Sequence, residues 1–481
     1  MDSRVEIARA WDLFHLGSFS EAEAAVSSFP DEPEAIRLRL WVSMRRGDQV
    51  EVCRLGAWLA ENGGEKFAAV GRAQQNIALA TLRRPLENWL TATSRWAQAE
   101  VAYGRALVAF MEGPPDQVRA ELARALPQTI EQRVRYATLR AWIYGLYEQF
   151  EKQATHLLHA LSLALEGGAD RSLTATIAGA LALLMREIEL GELAIRADTL
   201  LETVVWPLDR TMARFYAQRA IAWRKALHGG WIPAMHLLDG ALSLAPDCAR
   251  RGIVFADRSR VSDAVGESVA AASSRANAFD CFAEIDWSRD VIDEATGLFA
   301  AMDVLRADQQ RAQELFMRAD AAGVSKMSSF ARGRRLKAFR EFALSHLTNG
   351  DEALQHAAAA YKIFKELKYT HRATSCALRA VELGGGARWR ERVERMIAEY
   401  PHSLAAKEYE RLTSPVARIR GRMREVAELL VSSNKTAREI GETLGMAEGT
   451  VRVHIKHMNK ILNVQNRSQL VRLFMEASSA A

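Results

Sequence analysis

The sequence predicts an all-α chain: a long run of short helical hairpins closed by a small four-helix unit. Three observations lead there. From Met1 to about Glu410 apolar residues recur at helical spacing, with no convincing run of alternating β-branched residues. Glycine-centred turns of one design recur through that stretch. Between Pro415 and Met475 the chain turns basic, with 11 Lys or Arg against 5 Asp or Glu. The net charge of the whole chain is only +5, so this segment holds the entire positive excess. Such asymmetry in a helix-rich chain points to a nucleic-acid contact.

The turns come first. "GSFSEA" (Gly17 to Ala22), "GDQVEV" (Gly47 to Val52) and "GGWIPA" (Gly229 to Ala234) share a scheme. A glycine ends one helix in the left-handed conformation, a bulky residue often follows, and a small residue lets the next helix approach closely. The stretch from Gly229 continues to Pro246; "EQFEKQATHLLHALSLAL" (Glu148 to Leu165) repeats the second half of that longer stretch, and "NGDEALQHAAAAYKIF" (Asn349 to Phe364) is a looser version of it. The fullest copy, Gly229 to Pro246, resembles a tetratricopeptide repeat, whose consensus falls on Gly229, Trp231, Ala234, Ala241 and Pro246. The 30 residues from Gly17 to Gly47 are close to that repeat's period of about 34. The resemblance implies a tetratricopeptide-like α-solenoid, in which stacked hairpins share a core that none could form alone. The array is expected to end near "ELGGGARW" (Glu382 to Trp389). A charged helix of about Arg388 to Glu399 follows, Pro401 breaks the chain, and a short helix runs to Arg411. Residues 1–411 are thus read as the repeat domain and 412–481 as the C-terminal domain.

Several function classes drop out. The phosphate loop G-x-x-x-x-G-K-[ST], H-E-x-x-H, G-x-S-x-G and G-x-G-x-x-G are all absent, so no catalytic residue, cofactor or enzyme activity is expected. The four cysteines are scattered, which suggests a reduced, cytoplasmic protein. "MDSRVEIARAW" lacks the apolar stretch of a signal peptide, and the longest apolar run, Leu173 to Met185, is too short to span a bilayer. No membrane contact is expected.

The C-terminal unit reads as four helices. The first is expected over about Ala417 to Val431. The second opens with a capping box, Thr436 with Glu439. "LGM" (Leu444 to Met446) turns the chain into a third helix, about Glu448 to Leu462, stopped by Asn463. Asn466 and Gln469 can cap a fourth. On a helical wheel the third helix places Val451, Ile455, Met458 and Leu462 on one stripe. Arg452, Val453, Lys456 and Lys460 form a broad basic face, with Gly449 near its middle.

Here "EVAELL", "TAREIGETL", "AEGTVRVHIKHM" and "ILNVQNR" follow one another in the order and spacing of the LuxR/NarL-type helix-turn-helix domain, which residues 420 to 474 resemble. There are departures. "IRGRM" (Ile419 to Met423) replaces the family's usual opening, one extra residue lies within "VSSNK", and Ile461 replaces a customary Lys. Ala447 stands where a Ser or Thr caps the third helix, which removes about 1 kcal/mol of local stability.

The resemblance implies a sequence-specific transcriptional regulator of the LuxR family. Its third helix would enter the major groove of double-stranded DNA with Arg452, Val453 and Lys456 toward the bases. The chemistry agrees: Arg and Lys can bond guanine O6 and N7, and valine can meet a thymine methyl. Lys435, Thr436, Arg438, Thr450, Lys460 and Arg467 are read as phosphate contacts, which set register. For Arg438 and Lys460 a merely solvated role is equally open. His454 and His457 have i, i+3 spacing but no third ligand, so no metal is expected, and His156 and His159 read the same way. Val471, Met475 and Ser478 on the fourth helix would form the seam of a homodimer, with all its apolar residues in the core as the alternative.

For the repeats two readings stand. In one, they sense a peptide, protein or small-molecule effector and regulate the DNA-binding unit. In the other, the chain is an interaction scaffold whose C-terminal module docks a protein.

Overall fold

The structure, a computed structural model, describes the chain except residues 1–2, 83, 113–114, 188–198, 204–211, 246, 288–291, 328–332, 415, 417–418, 420, 434 and 480–481. The side chains of 112, 115, 185–187, 212, 292–293, 323–327 and 476–479 are likewise outside the description. No strand occurs among the described residues.

Successive helices pack as antiparallel hairpins, and the hairpins stack into a tetratricopeptide-like α-solenoid. Pro33–Arg46 with Gln49–Asn62, Ile130–Leu146 with Phe150–Glu166, Met212–Leu227 with Trp231–Leu244 and Cys248–Ala264 with Ser268–Ala283 are representative pairs. Their turns follow the expected stereochemistry: Gly17, Gly47, Gly229 and Gly266 have φ of 87°, 80°, 76° and 80°. The small residues after them work as spacers, since Ala22, Ala234 and Ala241 are fully buried against neighbouring helices. Pro246 lies outside the described residues.

Two turns do without glycine. Glu148 and Lys368 adopt φ of 56° and 60°, a conformation that costs a residue with a Cβ on the order of 1 kcal/mol. Both reach partners far along the chain. The Glu148 carboxylate accepts the Arg335 backbone N–H at 2.6 Å, and Lys368 pairs with Glu151. The Phe150 and Tyr369 rings meet edge to face at 4.9 Å beside them. The array is therefore not a simple one-dimensional stack, because hairpins more than 200 residues apart touch. Arg45 likewise bridges to Asp170 at 2.7 Å and Glu131 at 3.3 Å. One core cluster accordingly runs from Val134 to Cys376.

The helical packing also continues past Glu382. Ala387–Glu399 packs on Thr370–Glu382, and Leu404–Thr413 packs back on both Thr370–Glu382 and Cys248–Ala264. Leu412 belongs to this last cluster, whereas Val416 is the first residue in the C-terminal core. The first C-terminal helix starts at Arg422, later than expected, because Gly421 is left-handed with φ 57° just before it. Ala417 lies outside the described residues, while Val416 and Ile419 bury their side chains under the new unit.

Candidate nucleic-acid interface

Four helices, Arg422–Ser432, Ala437–Leu444, Glu448–Leu462 and Arg467–Ser479, surround a small core of Val426, Leu430, Ile440, Val451, Met458 and Phe474. The second helix begins as its sequence dictates. The Thr436 hydroxyl oxygen accepts the Glu439 N–H at 3.3 Å, and the Glu439 carboxylate accepts the Thr436 N–H at 2.6 Å. That backbone hydrogen bond, with a second from the Thr436 hydroxyl, holds the Glu439 carboxyl below its usual range.

The turn into the third helix depends on two glycines. Gly445 is left-handed, φ 64° and ψ 37°, where a side chain would be strained. The chain then folds back so tightly that the Met446 N–H donates to the Gly441 carbonyl at 2.8 Å. A Cβ on Gly441 would stand 2.5 Å from the Met446 carbonyl oxygen. Sequence reasoning missed Gly441. The available signal was a glycine inside a helix, which is unfavourable unless another chain segment needs the room.

The third helix matches its expected limits. Ala447 has extended backbone and offers no side-chain cap, and Asn463 closes the helix at φ 54°, ψ 41°. Val451, Met458 and Leu462 are buried, with Ile455 partly so. On the opposite side stand Gly449, Arg452, Val453, Lys456 and Lys460, all exposed. Val453 is 63% exposed, and a Cβ on Gly449 would meet nothing within 4 Å. An aliphatic side chain left in water in the middle of a basic face is the distinctive feature of this surface.

The charges on that face are held differently. Arg452 donates from two nitrogens to the Glu448 carboxylate, at 2.6 and 3.0 Å, which sequence reasoning did not foresee although the i, i+4 spacing allows it. Among the described residues Lys456 and Lys460 make no hydrogen bond or ion pair, and Thr450 is exposed beside them. Arg438 pairs along its own helix with Glu442 at 3.1 Å.

Lys435, Thr436 and Arg467 gather instead around the start of the second helix. Lys435 Nζ lies 3.2 Å from the Thr443 hydroxyl, and half-buried Arg467 donates to the Lys435 carbonyl at 2.7 Å. Arg467 therefore ties the fourth helix to the loop before the second, a role its sequence position did not suggest. At that fourth helix the Asn466 side chain accepts the Gln469 N–H at 2.9 Å. Leu470 and Phe474 are buried, Val471 is half-buried and Met475 is 55% exposed, while the Ser478 side chain is outside the description. No group of three or more His, Cys, Asp or Glu side chains placed to hold a metal occurs among the described residues. No described helix is long and apolar enough to cross a membrane.

Comparisons with known proteins bear on both parts of the chain. Residues 421–474 match the family described as bacterial regulatory proteins, luxR family. No curated protein matches the chain. Among solved structures, a Rap protein complexed with competence and sporulation factor is similar at 13% identity and a TM-score of 0.47, covering 76% of this chain and 97% of that one. The tetratricopeptide domain of P58(IPK) is similar at 14% identity and a TM-score of 0.25, covering 79% and 98%. The family match coincides with the four-helix unit and its glycine turn: residues 421–474 form a helix-turn-helix domain of the luxR family of bacterial regulatory proteins.

Proposed function

We propose that this protein is a sequence-specific DNA-binding transcriptional regulator whose helical repeats receive a peptide, protein or small-molecule signal. One observation carries the reading: exposed Val453 lies between Arg452 and Lys456 on the face turned away from the core. Exposed aliphatic side chains also stand elsewhere on the molecule, Val50 and Val269 among them, but this one sits between two exposed cations, where a thymine methyl would cover it beside the guanine that those cations can bond. Arg452 reads a base after leaving Glu448, an exposed pair that water already weakens. Lys456, which makes no hydrogen bond or ion pair among the described residues, is ready for guanine.

The phosphate-contacting set is Lys435, Thr436, Arg438, Thr450, Lys460 and Arg467. Arg467 uses the guanidinium nitrogens that its bond to Lys435 leaves over. Val471, Met475 and Ser478 pair two copies on DNA, which sets half-sites about one helical turn apart. The reading assigns no catalysis, cofactor or metal.

The test is retention of genomic fragments by the purified full chain. Retained fragments should share a motif with two half-sites and should be protected from nuclease cleavage over it. Retention that ignores sequence at every salt concentration would reject sequence-specific reading and favour a protein-docking role for the C-terminal unit.

A further inference from the structure

We infer that helix Leu404–Thr413 is a releasable plug: seated inside the repeats it restrains the DNA-binding unit, and its release strengthens operator binding. This rests on the DNA-binding reading above and adds how the repeats govern it. Cys248–Ala264, Ile292–Leu305, Gly333–Leu347 and Thr370–Glu382 pack side by side in that order, and the plug packs on both the first and the last. A straight row would hold those two about 24–30 Å apart. Yet one carboxylate of the plug, Glu408, acts on Arg260, Arg306 and Arg379, from the first helix, the end of the second and the fourth. The row therefore curves around the plug. The loop before it also crosses the hollow: the Tyr400 ring lies 5.5 Å from that of His371 and 6.5 Å from that of His228, which follows Met212–Leu227. A Cβ on neighbouring Gly229 would stand 3.1 Å from the His402 Cβ.

The plug is held lightly. Ala406 is its one buried side chain, against seven in Thr370–Glu382. The arginines around Glu408 are engaged by other acids. Arg260 donates to Asp257 and to Asp303, each at 2.8 Å, and Arg306 and Arg379 share Glu382 at 2.9 and 2.8 Å. Half-buried Glu408 makes no hydrogen bond or ion pair among the described residues. Burial, with Asp303 and Glu382 acting in the same sense, pushes its carboxyl above the usual range against the pull of Arg411 and Arg306. An element that buries so little opens more readily than the body it rests on.

Seating shortens the reach of the DNA-binding unit. Leu412 packs with Ala377, Leu378 and Val393, and Val416 belongs to the C-terminal core. The chain between them spans at most about 14 Å. A repeat body that ends at Leu412 is about 50 Å across. Half-sites one helical turn apart are separated by only about 34 Å. Two units on such half-sites thus hold two wide bodies on short tethers. With the plug released and still helical, the chain from Ser403 to Val416 spans about 25 Å, and about 45 Å when unwound. Release removes the crowding that opposes paired binding.

The experiment follows amide hydrogen exchange in the full chain, with and without a retained operator, and measures operator affinity by fluorescence anisotropy. Glu408→Lys sets a further cation among Arg260, Arg306 and Arg379, and Ala406→Glu puts a carboxylate at the buried position. Each should speed exchange across 404–413 at least about tenfold, leave Thr370–Glu382 protected and tighten operator binding at least about threefold. Glu410→Lys makes the same charge change at an exposed position of the same helix and should do neither. In the unaltered chain, operator should itself speed exchange across 404–413, because coupling is reciprocal. That arm holds even if a variant misfolds. Exchange across 404–413 that ignores operator or both substitutions would overturn the inference, and so would a released plug with unchanged or weaker operator binding. If no form retains a specific sequence, the released ones included, the DNA reading itself fails and the inference falls with it.

Discussion

Val453→Ala should move fold stability and DNA affinity in opposite directions. In the free protein Val453 is 63% exposed, so its methyl groups contribute little packing. Alanine is the better helix former by about 0.5 kcal/mol, so the free C-terminal unit should be unchanged or slightly more stable. In the proposed complex the same two methyl groups lie against a thymine methyl. Losing that burial at about 0.8 kcal/mol per carbon, with part of it compensated, removes about 1–1.5 kcal/mol of binding. That is about a 5- to 15-fold weaker complex. Urea unfolding of the C-terminal transition and fluorescence anisotropy on a retained operator measure the two quantities. A stable variant with unaltered affinity would refute the contact, and a destabilised one would refute the placement of Val453 on the solvent side.

Other perturbations test the supporting parts. Gly441→Ala brings a Cβ to 2.5 Å from the Met446 carbonyl, so it should lower the C-terminal unit's stability by about 1–3 kcal/mol. A urea midpoint like that of the unaltered chain would show that the turn can open. Arg467→Ala should weaken binding to all sequences alike and flatten its salt dependence. It should also loosen the fourth helix, visible as faster amide exchange at its start, because the bond to the Lys435 carbonyl is gone. In the repeats, His346 is buried with both ring nitrogens unpartnered, and burial first, then Arg306, lower its pKa to about 3. A folded pKa below the ordinary value of about 6.5 means the contribution is whole above that pH and shrinks as pH falls toward 3. Between pH 6.5 and 5 the loss is about 2 kcal/mol, from about 1.4 kcal/mol per pH unit. His346→Gln should therefore lose less stability from pH 7 to pH 5 than the unaltered chain, and equal losses would contradict this.

What the sequence disclosed was mostly local. Thr436 with Glu439, Asn463 and the glycines at 17, 47 and 229 each fix the backbone within a few residues of themselves, so their meaning can be read in place. The stripe of Val451, Met458 and Leu462 was legible because helical period alone assigns it. What stayed hidden was long-range. Nothing near Glu148 or Lys368 announces a left-handed turn, since their carboxylate and ammonium are engaged by residues about 190 to 220 positions away. The two hydrogen bonds by which buried Asn76 holds the Glu87 backbone, the bond from Arg467 to Lys435 and the packing of Leu404–Thr413 all require the third dimension. In the interface, the face was readable but the pairing of Arg452 with Glu448 and the need for Gly441 were not.

Whether the third helix reads bases is decided by Lys456→Ala. Lys456 is exposed and has no partner among the described residues, so its loss leaves the fold intact. Affinity for a retained operator and for unrelated DNA of equal length should be measured at several salt concentrations. Specific binding should fall by about 1–3 kcal/mol while the affinity for unrelated DNA changes far less, so the ratio of the two collapses. If both affinities fall together, Lys456 contacts only phosphate, and the assignment of this helix face to the bases is wrong.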